Sequence, residues 1–260
     1  MDTLKTAERA LKILLILTAH HEGMGTTELS AELNISMPTM SRLLNTLREH
    51  GFVQHHPITK KHILGKAALD IGRTFYKHIG YQLVSVAESD IKALRDNVGE
   101  SVLLEAMVGN EVVLIYRANG PNVVGILVKV GTRVPVNASP GAKAILAFCP
   151  TSVLNRILKQ ELTQFTSKTI TSPEALKESL KKIRQDGVAF SYGEYYPDMN
   201  GLAAPIFNDE KLPIAAVVIP LPAYRATLQQ EQKIVPLLKE TAKKISDRLA
   251  YYGAKGQLKF

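Results

Sequence analysis

Thr39, Arg42 and Asn45 recur at intervals of three in the segment Pro38-Thr39-Met40-Ser41-Arg42-Leu43-Leu44-Asn45-Thr46-Leu47. On a helix this spacing gathers the three polar side chains on one face. Their chemistry suits base recognition. An arginine fork pairs with guanine O6 and N7, and an asparagine amide pairs with adenine N6 and N7. Leu43, Leu44 and Leu47 supply the apolar side that holds such a helix to its domain. Ser36 and Ser41 suit phosphate oxygens, and Met37 suits a thymine methyl. Arg42 also fits a solvated surface cation, but the residues around it favour DNA contact.

Two short helices and a hairpin are needed to present that face. Thr26 to Leu33 reads as a helix, with Thr26 as its cap and Thr27 and Glu28 in its first turn; both threonines join the DNA-facing candidates. Asn34-Ile35-Ser36 forms the turn, and Ser36 caps the next helix, where Pro38 is tolerated in the first turn. Together they make a helix-turn-helix, which sets its second helix into the major groove. Phe52 to His56 and Lys61 to Leu64 read as strands around Pro57-Ile58-Thr59-Lys60, a wing. Lys60 and Lys61 suit phosphate or minor-groove contact, against the alternative of ordinary turn lysines. His55 and His56 are metal-ligand types, but neighbours on a strand point to opposite faces, so they read as a surface pair. Ahead of this module, Thr6 to His20 reads as a core helix, ended by Gly23-Met24-Gly25.

The composition narrows the rest. At 260 residues the chain has room for two domains. The net charge is +8, and residues 34 to 66 carry five cations (Arg42, Arg48, Lys60, Lys61, Lys66) against Glu49, which suits an anionic partner. No run of about eighteen apolar residues is present, so no membrane span is expected. Leu11 to Ala19 is too short for a span and lacks the flanks of an export leader. The lone Cys149 excludes an intrachain disulfide and fits a reducing cytoplasm. All seven histidines lie between His20 and His78, so Ile79 to Phe260 cannot use histidine as acid, base or metal ligand. No cofactor or metal is expected. An enzyme there would depend on carboxylates, Lys or Tyr; Glu194 and Asp198 are the nearest pair and read instead as a solvated loop.

Ala67 to His78 reads as a helix interrupted at Gly80, and Tyr81 to Asn97 as another, with Leu83, Val84, Ala87, Ile91 and Leu94 on one face. This sets domains at 1–66 (winged helix-turn-helix) and 81–260, with a helical linker at 67–80. Beyond Ser101 the period changes. Strands are expected at Ser101–Val108, Glu111–Ala118, Val123–Val130, Val188–Tyr192, Leu202–Phe207 and Ile214–Ile219. Helices are expected at Pro140–Phe148, Thr151–Gln160, Pro173–Gln185 and Leu228–Tyr252. The fold class is α+β, with a central antiparallel sheet and helices on its faces. Ser139-Pro140-Gly141 enters a helix whose free N–H groups favour an anion, although Pro140 lacks one donor; Ser139 reads equally as a plain cap.

Arg9-Ala10-Leu11, Thr39 to Leu44, Gly51-Phe52-Val53 and Leu64-Gly65 resemble the winged helix of the IclR family of bacterial transcriptional regulators. Ala138 to Ala147, Gly187-Val188-Ala189, Glu194 and Ala203 to Phe207 resemble later motifs of the same family, in the same order. The resemblance implies a GAF-like effector-binding domain, homodimers or homotetramers on a double-stranded DNA operator, and control by a small organic molecule, often a carboxylate. It places the effector pocket at Val123, Ile126, Val134, Pro140, Gly141, Ser191, Met199, Gly201, Val218 and Pro220, to which the helix-end reading adds Ser139. Relative to the family, Ser191, Gly201, Val218 and Pro220 leave this pocket with fewer hydroxyl and thiol groups. A more apolar or aromatic effector is therefore expected, or a pocket that uses Tyr192, Tyr195 or Tyr196. The expected function is a DNA-binding regulator, a repressor by preference, controlled by an organic acid or an aromatic metabolite. The alternatives are a small-acid enzyme using carboxylates and a constitutive DNA binder with a vestigial sensor.

Overall fold

The structure is a computed structural model that describes residues 4–20, 22–75, 81–121, 128–159 and 161–255. The chain divides into two compact units, Met1–His78 and Ile79–Phe260.

The first unit runs α1 (Lys5–Ala19), α2 (Thr26–Glu32), α3 (Met37–Glu49), β1 (Val53–His55), β2 (His62–Leu64) and α4 (Lys66–Phe75). Its core is Ile13 and Leu17 of α1, Leu29 of α2, Met40, Leu43, Leu44 and Leu47 of α3, and Val53 of β1. The leucines assigned to the inner side of α3 are therefore buried. The helix α1 joins this core through Ile13 and Leu17, while Leu11 and Leu15 on its other side stand 61% and 62% exposed. The cap of α2 also differs from expectation. Gly25 is the N-cap and Thr26 the first helical residue; the Glu28 carboxylate accepts the Gly25 N–H at 2.6 Å, a role no hydroxyl fills here. Ser36 stands at the N-cap position of α3, but its hydroxyl takes no capping N–H and donates to Thr39 instead; Pro38 lies in the first turn. The antiparallel pair β1–β2 is tied back to the start of α2 by a bridge between Met24 and His62.

The second unit runs α5 (Tyr81–Val98), β3 (Val102–Val108), β4 (Glu111–Ala118), β5 (Arg133–Val134), α6 (Pro140–Leu146), α7 (Thr151–Ile157), α8 (Pro173–Asp186), β6 (Ala189–Tyr192), β7 (Met199–Phe207), β8 (Pro213–Pro222) and α9 (Leu228–Ala254). The strands form one sheet in the order β5-β4-β3-β8-β7-β6, antiparallel throughout. Alternation along each strand divides two cores. Val102, Leu104, Ala106, Leu202, Ala204, Val217 and Ile219 face α5 and α9. Leu103, Ala189, Ala203, Ala216 and Val218 face α6, α7 and α8. Gly187 ends α8 in the left-handed region at φ 68°.

Of the strand expected at 123–130, residues 123–127 lie outside the described residues, and 128–130 are not strand. Among the described residues the sheet ends beside β4 in β5, two residues paired with Val112 and Val113, too short to show an alternation in sequence. β7 and β8 also extend past their expected ends, since Gly201 and Pro220 read as breakers in isolation but are paired with each other.

Candidate functional site

In the first unit, one side of α3 faces solvent. Ser36, Met37, Ser41, Arg42 and Asn45 are exposed and Thr39 is half-buried. Ser36 Oγ donates to Thr39 Oγ1 at 3.0 Å. Arg48, which the motif reading did not single out, links this side to the wing: Nη2 donates to Asn45 Oδ1 at 2.9 Å and Nη1 meets His55 Nε2 at 3.1 Å. It therefore orients the Asn45 amide, whose NH₂ stays available and whose carbonyl keeps a second lone pair. The signal for Arg48 was a cation one turn beyond Asn45, on the same face.

Thr27 is exposed, whereas the Thr26 hydroxyl lies 2.9 Å from His62 Nε2. Burial pushes His62 below the ordinary histidine range, with His55 and Arg48 acting in the same direction. Lys60 is exposed in the left-handed region at φ 58°. Lys61 is half-buried with Nζ 3.7 Å from Glu28 Oε1. The Gly25 N–H, and after it Lys61, hold the Glu28 carboxyl below its usual range. His55 and His56 do different work. The His55 ring sits 4.6 Å from that of His62, while His56 Nδ1 accepts the Thr59 N–H at 3.2 Å inside the wing turn.

In the second unit, a cavity of about 80 Å³ opens on the side of the sheet that carries α6. Val134, Ser139, Pro140, Ser191, Met199, Gly201, Val218 and Pro220 line it. Val123 and Ile126 lie outside the described residues. Gly141 is buried one step behind the wall: a Cβ there would meet Glu105 Oε2 at 2.2 Å and Val218 Cγ2 at 2.6 Å, so only glycine fits. Tyr195 and Tyr196 are on the wall. Tyr192 is not: its hydroxyl donates to Glu231 Oε2 at 3.1 Å.

The wall also holds Leu103, Val128, Ala138, Asn200 and Glu105, which sequence reasoning missed. Glu105 is 3% exposed. Ser139 Oγ donates to its Oε2 at 2.7 Å, and the Ala142 N–H also favours its charge, yet burial outweighs both and pushes the carboxyl up to about 7. Its signal was a lone charge in the apolar run Val102-Leu103-Leu104-Glu105-Ala106-Met107-Val108. Ser139 caps α6 as expected, accepting the Ala142 N–H at 3.4 Å. The Ser191 hydroxyl is engaged with the Ala138 carbonyl at 3.0 Å.

The reading of Glu194 as part of a solvated loop is corrected. Glu194 is buried, and both its oxygens accept from Lys143 Nζ, at 2.7 and 2.6 Å. Lys143, 1% exposed, donates its third hydrogen to the Phe190 carbonyl at 2.9 Å. Burial lowers the Lys143 ammonium and raises the Glu194 carboxyl, while each partner opposes the other's displacement. Thr166 and Thr169 hydroxyls donate to the Gly193 and Glu194 carbonyls at 2.7 and 2.6 Å. The segment bearing Tyr195 and Tyr196 is thus anchored immediately before it reaches the cavity. Tyr195 is pushed up to about 12, first by burial, then by a hydrogen bond with Tyr196, with the Glu105 charge a smaller cause.

An exposed recognition helix beside a wing, and a sheet-borne cavity in a separate unit, define a ligand-responsive DNA-binding protein. The IclR helix-turn-helix domain model matches residues 6–57, and the model of the bacterial transcriptional regulator IclR C-terminal domain matches residues 79–247. The chain belongs to the IclR family of transcriptional regulators. The transcriptional repressor IclR of Escherichia coli is 27% identical over 248 residues, 94% of this chain and 89% of that protein. The crystal structure of Thermotoga maritima IclR superposes with TM-score 0.71 at 28% identity, covering 96% of this chain and 100% of that one. An IclR homologue from Microbacterium hydrocarbonoxydans complexed with 4-hydroxybenzoate shares the fold, with TM-score 0.78 at 23% identity over 95% and 99% of the two chains. The protein is a DNA-binding transcriptional regulator. Among the described residues, no helix is long and apolar enough to cross a membrane.

Proposed function

We propose that the protein is a cytoplasmic repressor without catalytic activity, which binds its operator as a homodimer or homotetramer and changes its grip when a compact, largely apolar effector fills the cavity. The observation that carries this reading is the sidedness of α3, with Met40, Leu43, Leu44 and Leu47 buried and Ser41, Arg42 and Asn45 exposed. Placed in a major groove, α3 turns Arg42 and Asn45 to base edges with Thr39 beside them, and Met37 to a thymine methyl. Ser36, Ser41 and Thr27 reach phosphates, and Lys60 and Lys61 follow the backbone past the wing. The Thr26 hydroxyl, engaged with His62, supports the fold of the module instead.

The cavity wall from Val134, Ser139, Pro140, Ser191, Met199, Gly201, Val218 and Pro220 is the effector site in this reading, with Gly141 behind it. The leucines Leu4, Leu11 and Leu15 support self-association, since they leave an apolar stripe on α1 exposed. A two-fold dimer would read half-sites about one helical turn apart, roughly 34 Å.

The test is competition binding of the full-length protein to DNA from upstream of its own gene against random duplex. The proposal expects a preference of about a thousandfold or more, and affinity that falls steeply with salt. Equal affinity for the two DNAs would refute it.

A further inference from the structure

Glu105 sits where an acid is costly. It projects from β3, in the middle of the sheet, on the side shared with Leu103 and Met107, into a wall that is otherwise mostly apolar. Its two favourable contacts, the Ser139 hydroxyl and the Ala142 N–H, are neutral, and among the described residues no cation contributes to holding its charge. The buried cation of the neighbouring helix is committed elsewhere, since all three hydrogens of Lys143 go to Glu194 and Phe190. The carboxyl of Glu105 presses onto Gly141 so closely that no side chain fits between them. The protein's own acid thus occupies the ground an incoming anion would need. A ligand carboxylate placed beside it in a dry cavity would meet a like charge, whereas a cation would meet its missing partner. The other titratable groups on this wall are the phenols of Tyr195 and Tyr196, neither of which supplies a cation.

We propose that Glu105 selects the effector: the cavity takes a compact amine, its apolar body against Leu103, Val134 and Val218 and its ammonium on the Glu105 carboxylate, and it rejects carboxylates. This rests on the reading of the cavity as the effector site. Burial is consistent with it, because a carboxyl held up near 7 has the most to gain from a fixed cation.

The test is calorimetric titration of the full-length protein with pairs that share a skeleton: benzylamine and benzoate, isobutylamine and isobutyrate, propylamine and propionate. At pH 8 the amine of at least one pair should bind about tenfold or more tightly than its acid, the size of one charge-assisted hydrogen bond. Its affinity should weaken below pH 7 as Glu105 takes up a proton. Glu105→Gln should abolish the preference while circular dichroism shows a folded protein. The wild-type pH series decides the matter alone if that variant does not fold. Acids binding more tightly than amines at pH 8, or a preference unchanged in Glu105→Gln, overturns the selection by Glu105. If those acids still change the affinity for DNA, the cavity remains the effector site. Binding of neither head group overturns both.

Discussion

Replacing Glu105 by glutamine should stabilise the free protein, and by an amount that depends on pH. Folding moves this carboxyl from an ordinary value of 4.5 to about 7, chiefly by burial. The folded state therefore holds a proton that the unfolded chain has released. Stability then falls as pH rises, because the unfolded state binds fewer protons. Below about pH 4.5 both states are protonated and the penalty is absent; it grows between 4.5 and 7 and is complete above 7. At 1.36 kcal/mol per pKa unit, the full penalty is roughly 3 kcal/mol. Glutamine is nearly isosteric, cannot ionise, and still accepts from the Ser139 hydroxyl. The difference in unfolding free energy between the variant and the wild type should thus rise by about 3 kcal/mol between pH 4.5 and pH 8. Taking that difference cancels the other titrating groups. Urea unfolding followed by tyrosine fluorescence suits the second unit, since there is no Trp and eight of the nine tyrosines lie at or beyond Tyr81. A difference that stays constant across the pH range would refute the burial argument, whatever its size at a single pH.

Arg42→Ala should weaken specific DNA binding by about 1–3 kcal/mol and relax discrimination at one base pair, read by competition with single-substituted operators. Loss that is uniform across all sequences would instead assign Arg42 to phosphate. Lys60→Ala should lower affinity nearly equally for all duplexes and reduce the slope of log K against log salt by about 1; an unchanged slope would remove the wing turn from the interface. Lys143→Met should destabilise the second unit by about 3 kcal/mol or more, because it strands Glu194 in the interior, and adding Glu194→Leu should restore most of the loss. Additive losses in a urea-unfolding cycle would contradict the account of that pair.

The two units differ in how much of them was legible in sequence. The winged helix could be read almost residue by residue, because its parts are local. Ser36 marks the start of α3, Leu43, Leu44 and Leu47 repeat with the helical period, and Pro57 to Lys60 turns the wing within a few residues. What escaped were contacts across those parts, namely Arg48 bridging Asn45 to His55, and His62 engaging Thr26. The cavity is assembled from β3, β5, α6, β6, β7 and β8, whose lining residues run from Leu103 to Pro220, and no local pattern announces such a convergence. The family resemblance supplied seven of its wall positions, and the helix-end reading supplied Ser139. It could not supply Glu105 or the partner of Lys143, since both depend on which strand residues face which layer. The interruption of an apolar strand by Glu105 was visible, but the same letters fit a solvated edge. Its meaning came only from β3 lying inside the sheet between β4 and β8.

If an effector in the cavity controls how tightly α3 holds DNA, the two sites are energetically coupled. Fluorescence anisotropy of a labelled duplex from upstream of the protein's own gene measures that coupling. The full-length protein is titrated with and without a saturating amount of whichever amine or acid binds it most tightly in calorimetry. Coupling of about 1–3 kcal/mol between the sites, a shift in Kd of roughly fivefold or more, is the expected result. A compound that saturates the cavity while the Kd for DNA stays the same would contradict such control.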